Sequence, residues 1–386
     1  MSAIILKNAR LHVTSDEFRH ADSLAIQDHR IIPADSTLID PNNAEEYDMQ
    51  GMHIAPGFID LLVNGCGGVS FASDPSIETL ETMRQYLLKR GTTTFVPTLI
   101  SGPRESLSKA LTAVADFKDK RPGVCPGLHM EGPFINPQHK GFQPAGYIRP
   151  LTQSDIEFMR ENADAIAYIT LAPELIKPQL ILDLLRSRFI LSIGHTATTY
   201  QVAMHAFKAG INNVTHIYNG MRSTVGREPG LIGALLSTQK ITASVIADGR
   251  HVHPALIRIA HQNLGKRLYI VSDCQAVAGA DINEGSFTIY GNEIFIDKKR
   301  GLIDSRGALA GTSMTLMDSI KYLIDCCNFT LDEALTAATE VPASVLNLRE
   351  NGRIEGGFIA DLVCFDDDFH IHYVVQNGFV KGPGDF

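Results

Sequence analysis

Short apolar runs rich in β-branched side chains recur through the middle of the chain, at 57–63, 92–97, 124–131, 165–171, 189–193, 213–217, 241–247 and 268–272. Between them, apolar residues return at helical spacing over 77–89, 106–117, 178–188, 200–209 and 254–264. Period-two runs read as strands and 3.6-period runs as amphipathic helices. Eight strand-then-helix units predict an α/β fold in which a parallel sheet closes into a (β/α)₈ barrel of the TIM type. An open doubly wound sheet is the rival, but the first strand-to-helix turn carries no GxGxxG fingerprint.

The two ends of the chain differ from the middle. Residues 1–55 hold short β-rich runs (3–7, 24–26, 30–32) between turn residues, and 345–386 holds similar runs at 360–365 and 373–375. Such segments pair most simply as a small β-sandwich domain built from both termini, with the barrel at 56–344 inserted between them.

Composition narrows the partners. With 44% hydrophobic and 20% charged residues in 386, the chain is of ordinary globular composition. A formal charge of -9 argues against nucleic acid or an anionic membrane surface as the principal partner. The six cysteines form no CxxC pair and read as buried reduced thiols. No leader-like N-terminus and no apolar run of membrane-spanning length is present, so a cytoplasmic protein is expected.

Candidate chemistry gathers at the strand ends. Barrel enzymes build their sites at the C-terminal ends of their strands, and Asn64, Glu131, His195, His216, Asp248 and Asp273 all fall there. In Gly127-Leu128-His129-Met130-Glu131-Gly132-Pro133, alternation puts His129 and Glu131 on one face, with His129 a layer deeper. Glu131, His195 and His216 together offer a carboxylate and two imidazoles, a set suited to Zn²⁺ with one open position and compatible with Fe²⁺. A lone strand-end histidine is usually a hydrogen-bonded cap; three ligand types in matched positions favour a metal. Asp273 alone reads as a helix N-cap, but opposite a metal it becomes the general base and acid. The segments 219–222 and 248–253, with Arg227, are rich in donors suited to a phosphate. No Walker A loop accompanies them.

Taken together, these motifs resemble a known family. Pro56-Gly57-Phe58-Ile59-Asp60, Asn64-Gly65-Cys66-Gly67-Gly68, His129-Met130-Glu131-Gly132-Pro133-Phe134, Gly194-His195-Thr196, Thr215-His216-Ile217-Tyr218-Asn219, Asp248-Gly249-Arg250-His251 and Ser272-Asp273 resemble the amidohydrolase superfamily. Within it, they are similar to the deacetylases that act on N-acetylglucosamine 6-phosphate. The resemblance implies hydrolysis of that sugar's N-acetyl group to glucosamine 6-phosphate and acetate. It implies one divalent metal on Glu131, His195 and His216, and Asp273 as the acid and base. Asn219, the Gly220 backbone, Arg227 and His251 would surround the sugar phosphate. Phe142, Gln143, Asp248 and the loop Ala308, Leu309, Ala310 would line the sugar and acetyl pocket. A homodimer that shares phosphate contacts between subunits is also implied.

Two positions depart from the pattern. Leu62 and Asn64 stand where many amidohydrolases carry a His-x-His pair for a second metal, so one metal is expected. Gln143 stands where some relatives have a histidine toward the acetyl carbonyl; it can donate a hydrogen bond but carries no charge, and His139 is an alternative donor. Three other readings stay open: the same reaction on the galacto epimer, hydrolysis of a cyclic amide, and an inactive barrel kept as a binding protein.

Overall fold

A computed structural model describes residues 3–40, 43–280 and 284–385. Its centre is a sheet of eight strands: Phe58–Val63, Thr92–Ile100, Leu128–Glu131, Ile166–Leu171, Leu191–Ile193, Asn213–Val214, Thr242–Ile246 and Leu268–Val271. Each pairs in parallel with the next in chain order. The sheet then closes on itself: Asp273 N–H donates to the Leu62 carbonyl at 3.0 Å, and Asn64 N–H to the Cys274 carbonyl at 3.0 Å. Helices over Ile77–Leu88, Arg104–Lys120, Pro178–Arg186, Tyr200–Ala209 and Pro254–Leu264 follow individual strands. These are the barrel's βα units, as the pattern requires.

Some strands differ in length from the pattern. The third starts at Leu128 rather than 124, because Pro126 lacks an N–H for the ladder and Gly127 follows it. The second continues to Ile100, past Pro97, which pairs with Val63 at an irregularity of the register. The sixth is only Asn213–Val214, since the chain turns at His216 with φ 31°. After the eighth strand comes an antiparallel sheet over Ser286–Ile289, Asn292–Asp297 and Gly301–Asp304. The apolar pattern had not announced it, because its side chains are mostly exposed or half-buried.

Below the mouth, polar side chains sit among apolar ones in the barrel interior. His129 stacks on Tyr168 at 3.9 Å between ring centres. Its Nδ1 lies 3.1 Å from Thr98 Oγ1, and its Nε2 lies 2.7 Å from Thr170 Oγ1. Burial pulls its pKa to about 3, so the ring is neutral and fixed between two hydroxyls.

The terminal segments form two sheets that share one core. Leu6, Leu24, Ile26 and Ile31 from the first pack with Ile54, Leu362, Cys364 and Val375 from the second. In the second sheet, His53–Pro56 pairs antiparallel with Leu362–Phe365, placing Ile54 opposite Cys364. Among the described residues, no helix is long and apolar enough to cross a membrane.

Candidate active site

The third, fifth, sixth and eighth strands carry Glu131, His195, His216 and Asp273 to one mouth. Glu131 Oε1 stands 3.0 Å from His195 Nε2 and 2.9 Å from His216 Nε2, and the two nitrogens are 3.2 Å apart. Ligands held about 2.0–2.1 Å from a tetrahedral Zn²⁺ stand about 3.3 Å from one another, so the trio already has the spacing of a coordination face. Among the described residues, it is the one cluster of three such side chains.

The backbone around the trio is unusual. His195, His216 and Asp273 adopt φ of 46°, 31° and 49°, a region that costs non-glycine residues energy and is held at functional sites by surrounding structure. His195 Nδ1–H donates to the His139 carbonyl at 2.7 Å, which fixes the ring and leaves Nε2 for a cation. Gly220 permits this approach: with φ 56°, a Cβ there would lie 2.6 Å from His195 Nδ1 and 3.0 Å from the His139 oxygen. His216 Nδ1 is buried and has no partner among the described residues.

Electrostatics suits a cation. Burial pushes the Glu131 carboxyl up, but hydrogen bonds from His195 and His216 outweigh it and hold the group well below the usual carboxylate range. Burial likewise pulls His195 down, and its contact with Glu131 reverses this and raises it. At His216 burial prevails and the pKa falls. An ionised carboxylate flanked by imidazoles is therefore available in a nearly dry mouth.

Asp273 Oδ1 accepts a hydrogen bond from Asn64 Nδ2 at 2.6 Å. Burial first, then the charge of Glu131, raises the Asp273 pKa well above its ordinary value, and the Asn64 contact opposes the rise.

The remaining predicted residues divide into a network near the mouth and one outlier. Asp248 accepts from the N–H groups of Arg250 and His251 at 2.9 and 2.8 Å and pairs with His251 Nδ1 at 2.7 Å, which fixes the loop after the seventh strand. Asn219 Nδ2 reaches back weakly to the carbonyls of His216 and Ile217, at 3.4 and 3.3 Å. Phe142 is buried, and its carbonyl accepts from Asn292 Nδ2 at 2.6 Å. Leu309 pairs with Ile303 and Ala310 N–H bonds to the Leu302 carbonyl, while Ala308 N–H bonds to Asp304. Two residues beyond Ala310, Thr312 N–H donates to the Asp273 carbonyl at 2.9 Å, which ties this loop to the eighth strand. Arg227 is the outlier: it is exposed and has no side-chain partner among the described residues. His139, considered as a donor, contributes through its backbone carbonyl to His195 instead.

Ser101 was missed. It follows the second strand and grips Gln143, but Pro97 had hidden the last part of that strand.

Set against known proteins, residues 53–382 match the model of the amidohydrolase family. The chain belongs to that family. Metal dependence is general in this superfamily, and the Glu131–His195–His216 cluster agrees with it. Among relatives, an N-acetylglucosamine-6-phosphate deacetylase of Haemophilus influenzae is 37% identical over 86% of this chain and 87% of its own length. An N-acetylgalactosamine-6-phosphate deacetylase of a Shewanella species is 34% identical over 83% and 81%. A crystal structure of an N-acetylglucosamine-6-phosphate deacetylase from Pasteurella multocida superposes with a TM-score of 0.92 at 34% identity, covering 98% of this chain and all of the other. An amidohydrolase with such relatives is expected to have amide hydrolysis as its chemistry.

Proposed function

We propose that the protein hydrolyses N-acetylglucosamine 6-phosphate to glucosamine 6-phosphate and acetate. The observation that carries this reading is the convergence of Glu131, His195 and His216 within hydrogen-bonding distance of one another, in a chain 37% identical to such a deacetylase. A single divalent cation, Zn²⁺ by the donor set, would be held by these three residues and would acidify a water and polarise the acyl oxygen. Asp273 takes the proton of the attacking water and returns it to the sugar nitrogen as the C–N bond breaks. Gln143 donates from its amide nitrogen to the acyl oxygen as negative charge grows there.

Arg227, exposed and without a side-chain partner among the described residues, is available to a phosphate together with His251 and the 219–220 backbone, and a homodimer would let two subunits complete that pocket. A cytoplasmic location belongs to the same proposal. The Shewanella relative gives the galacto epimer as a second reading. Acetate release from the two sugar phosphates and from unphosphorylated N-acetylglucosamine separates them. Release from the gluco phosphate alone supports the first reading, faster release from the galacto phosphate the second, and release from none defeats both.

A further inference from the structure

We infer that Asn64 is a positioning residue for Asp273: the side-chain position vacated by a second-metal ligand has become the clamp that aims the proton-transfer carboxylate. The inference rests on the assignment of Asp273 as acid and base made above.

Three observations support it. First, the first and eighth strands meet at this point through Asp273 N–H to the Leu62 carbonyl and Asn64 N–H to the Cys274 carbonyl, both 3.0 Å, so the two side chains emerge side by side from a fixed seam. Second, Asn64 Nδ2 donates to Asp273 Oδ1 at 2.6 Å, and both residues are buried. Among the described residues, Asn64 is the one side chain hydrogen-bonded to that carboxylate, which leaves Oδ2 for a reacting water. Third, Leu62, one pleat below Asn64, packs in an apolar layer with Val96, Tyr168, Ile246, Tyr269 and Val271. A second cation would have no ligand there. An amide in place of an imidazole neither titrates nor competes for the ion, and its donor is present at every working pH.

A carboxylate on a left-handed backbone turn, with φ 49°, would otherwise rotate about its own side-chain torsions. Holding one oxygen determines where the other points, and misplacing a proton-transfer group by about 1 Å costs on the order of a hundredfold in rate.

The test uses the metallated full-length protein with N-acetylglucosamine 6-phosphate. In Asn64→Leu, which keeps size and removes the donor, kcat is expected to fall about ten- to a hundredfold, with KM within about threefold of the parent. Cation content should be unchanged. Asn64→Ser, too short to reach, should behave alike and covers the case in which the leucine variant does not fold. Added to Asp273→Asn, Asn64→Leu should cost less than about twofold more, since its effect acts through that carboxylate. Parent-like kcat in both folded variants, or an undiminished loss on the Asp273→Asn background, overturns the inference while an active parent preserves the deacetylase reading. A parent that releases no acetate from any sugar phosphate defeats the reading, and this inference with it.

Discussion

Ser101 holds Gln143 oxygen-first: Gln143 Oε1 accepts from the Ser101 backbone N–H at 3.0 Å and from Ser101 Oγ at 2.7 Å. A backbone N–H can only donate, so chemistry assigns the oxygen to that end of the amide. Nε2 is consequently the free end, buried and without a partner among the described residues. An unpaired buried donor is costly, and a substrate's acyl oxygen would relieve it. Gln143→Leu is expected to lower kcat about a hundredfold, the cost of losing one oxyanion donor. Ser101→Ala keeps the backbone N–H and should cost only about a few-fold on the same scale. Steady-state acetate release measures both; an unimpaired Gln143→Leu enzyme would remove Gln143 from the reaction.

Gly220 supplies a second prediction, because a methyl group there would press on His195 Nδ1 and on the carbonyl it bonds. Gly220→Ala should weaken cation affinity by about ten- to a hundredfold, the usual cost of disturbing a ligand's own hydrogen bond. Competition with a chromophoric chelator reads the affinity directly. Unchanged affinity would mean that the loop yields without moving the imidazole.

Removal of the cation gives a third. Chelation is expected to abolish acetate release and to lower the thermal midpoint, because an ion bound by the folded state alone stabilises it by mass action. One equivalent of Zn²⁺ per chain should restore both. A requirement for two equivalents would contradict the apolar packing around Leu62.

Asp155 makes a prediction about pH. Burial pushes its carboxyl up, but hydrogen bonds from Arg149 and Thr152 outweigh this and bring the pKa to about 2, from an ordinary 3.8. Its two oxygens bond Arg149 at 2.7 and 2.6 Å and Arg104 at 3.0 Å, and Thr152 completes the cap of the helix Gln153–Glu161. A carboxyl with a depressed folded pKa contributes stability that is complete above about pH 4 and disappears as pH falls through about 2. Urea unfolding of the parent and of Asp155→Asn should therefore differ most above pH 4 and converge toward pH 2. A difference that stayed constant across that window would show that the charge is not responsible.

The barrel was legible because its strands are buried on both faces and so appear as continuous apolar runs, ended by glycine, proline or a polar ligand. The ligand trio was legible for the same reason: a glutamate at position 131 and histidines at 195 and 216 have no other business at the ends of such runs. What escaped notice depended on geometry without a sequence signature. The positive φ at His195, His216 and Asp273 leaves no mark in residue type, since none of them is glycine. The Asn64–Asp273 contact joins residues far apart in the chain, and only closure of the sheet brings them together. The sheet over residues 286–304 alternates too weakly to be distinguished from a loop, although Asn292 from it supports Phe142 beside the site.

The pairing of His53–Pro56 with Leu362–Phe365 has a consequence for biosynthesis. Ile54 leaves the ribosome before the barrel strands are made, yet its partner Cys364 emerges only after all of them. The strand that leads directly into the barrel must therefore wait, with an apolar edge unpaired, until the whole barrel has emerged. A message truncated shortly before residue 362 would encode every proposed ligand and the complete barrel, yet leave that edge open to aggregation. Quality control of this protein is thus expected to respond to the arrival of Leu362–Phe365 rather than to the assembly of its active site.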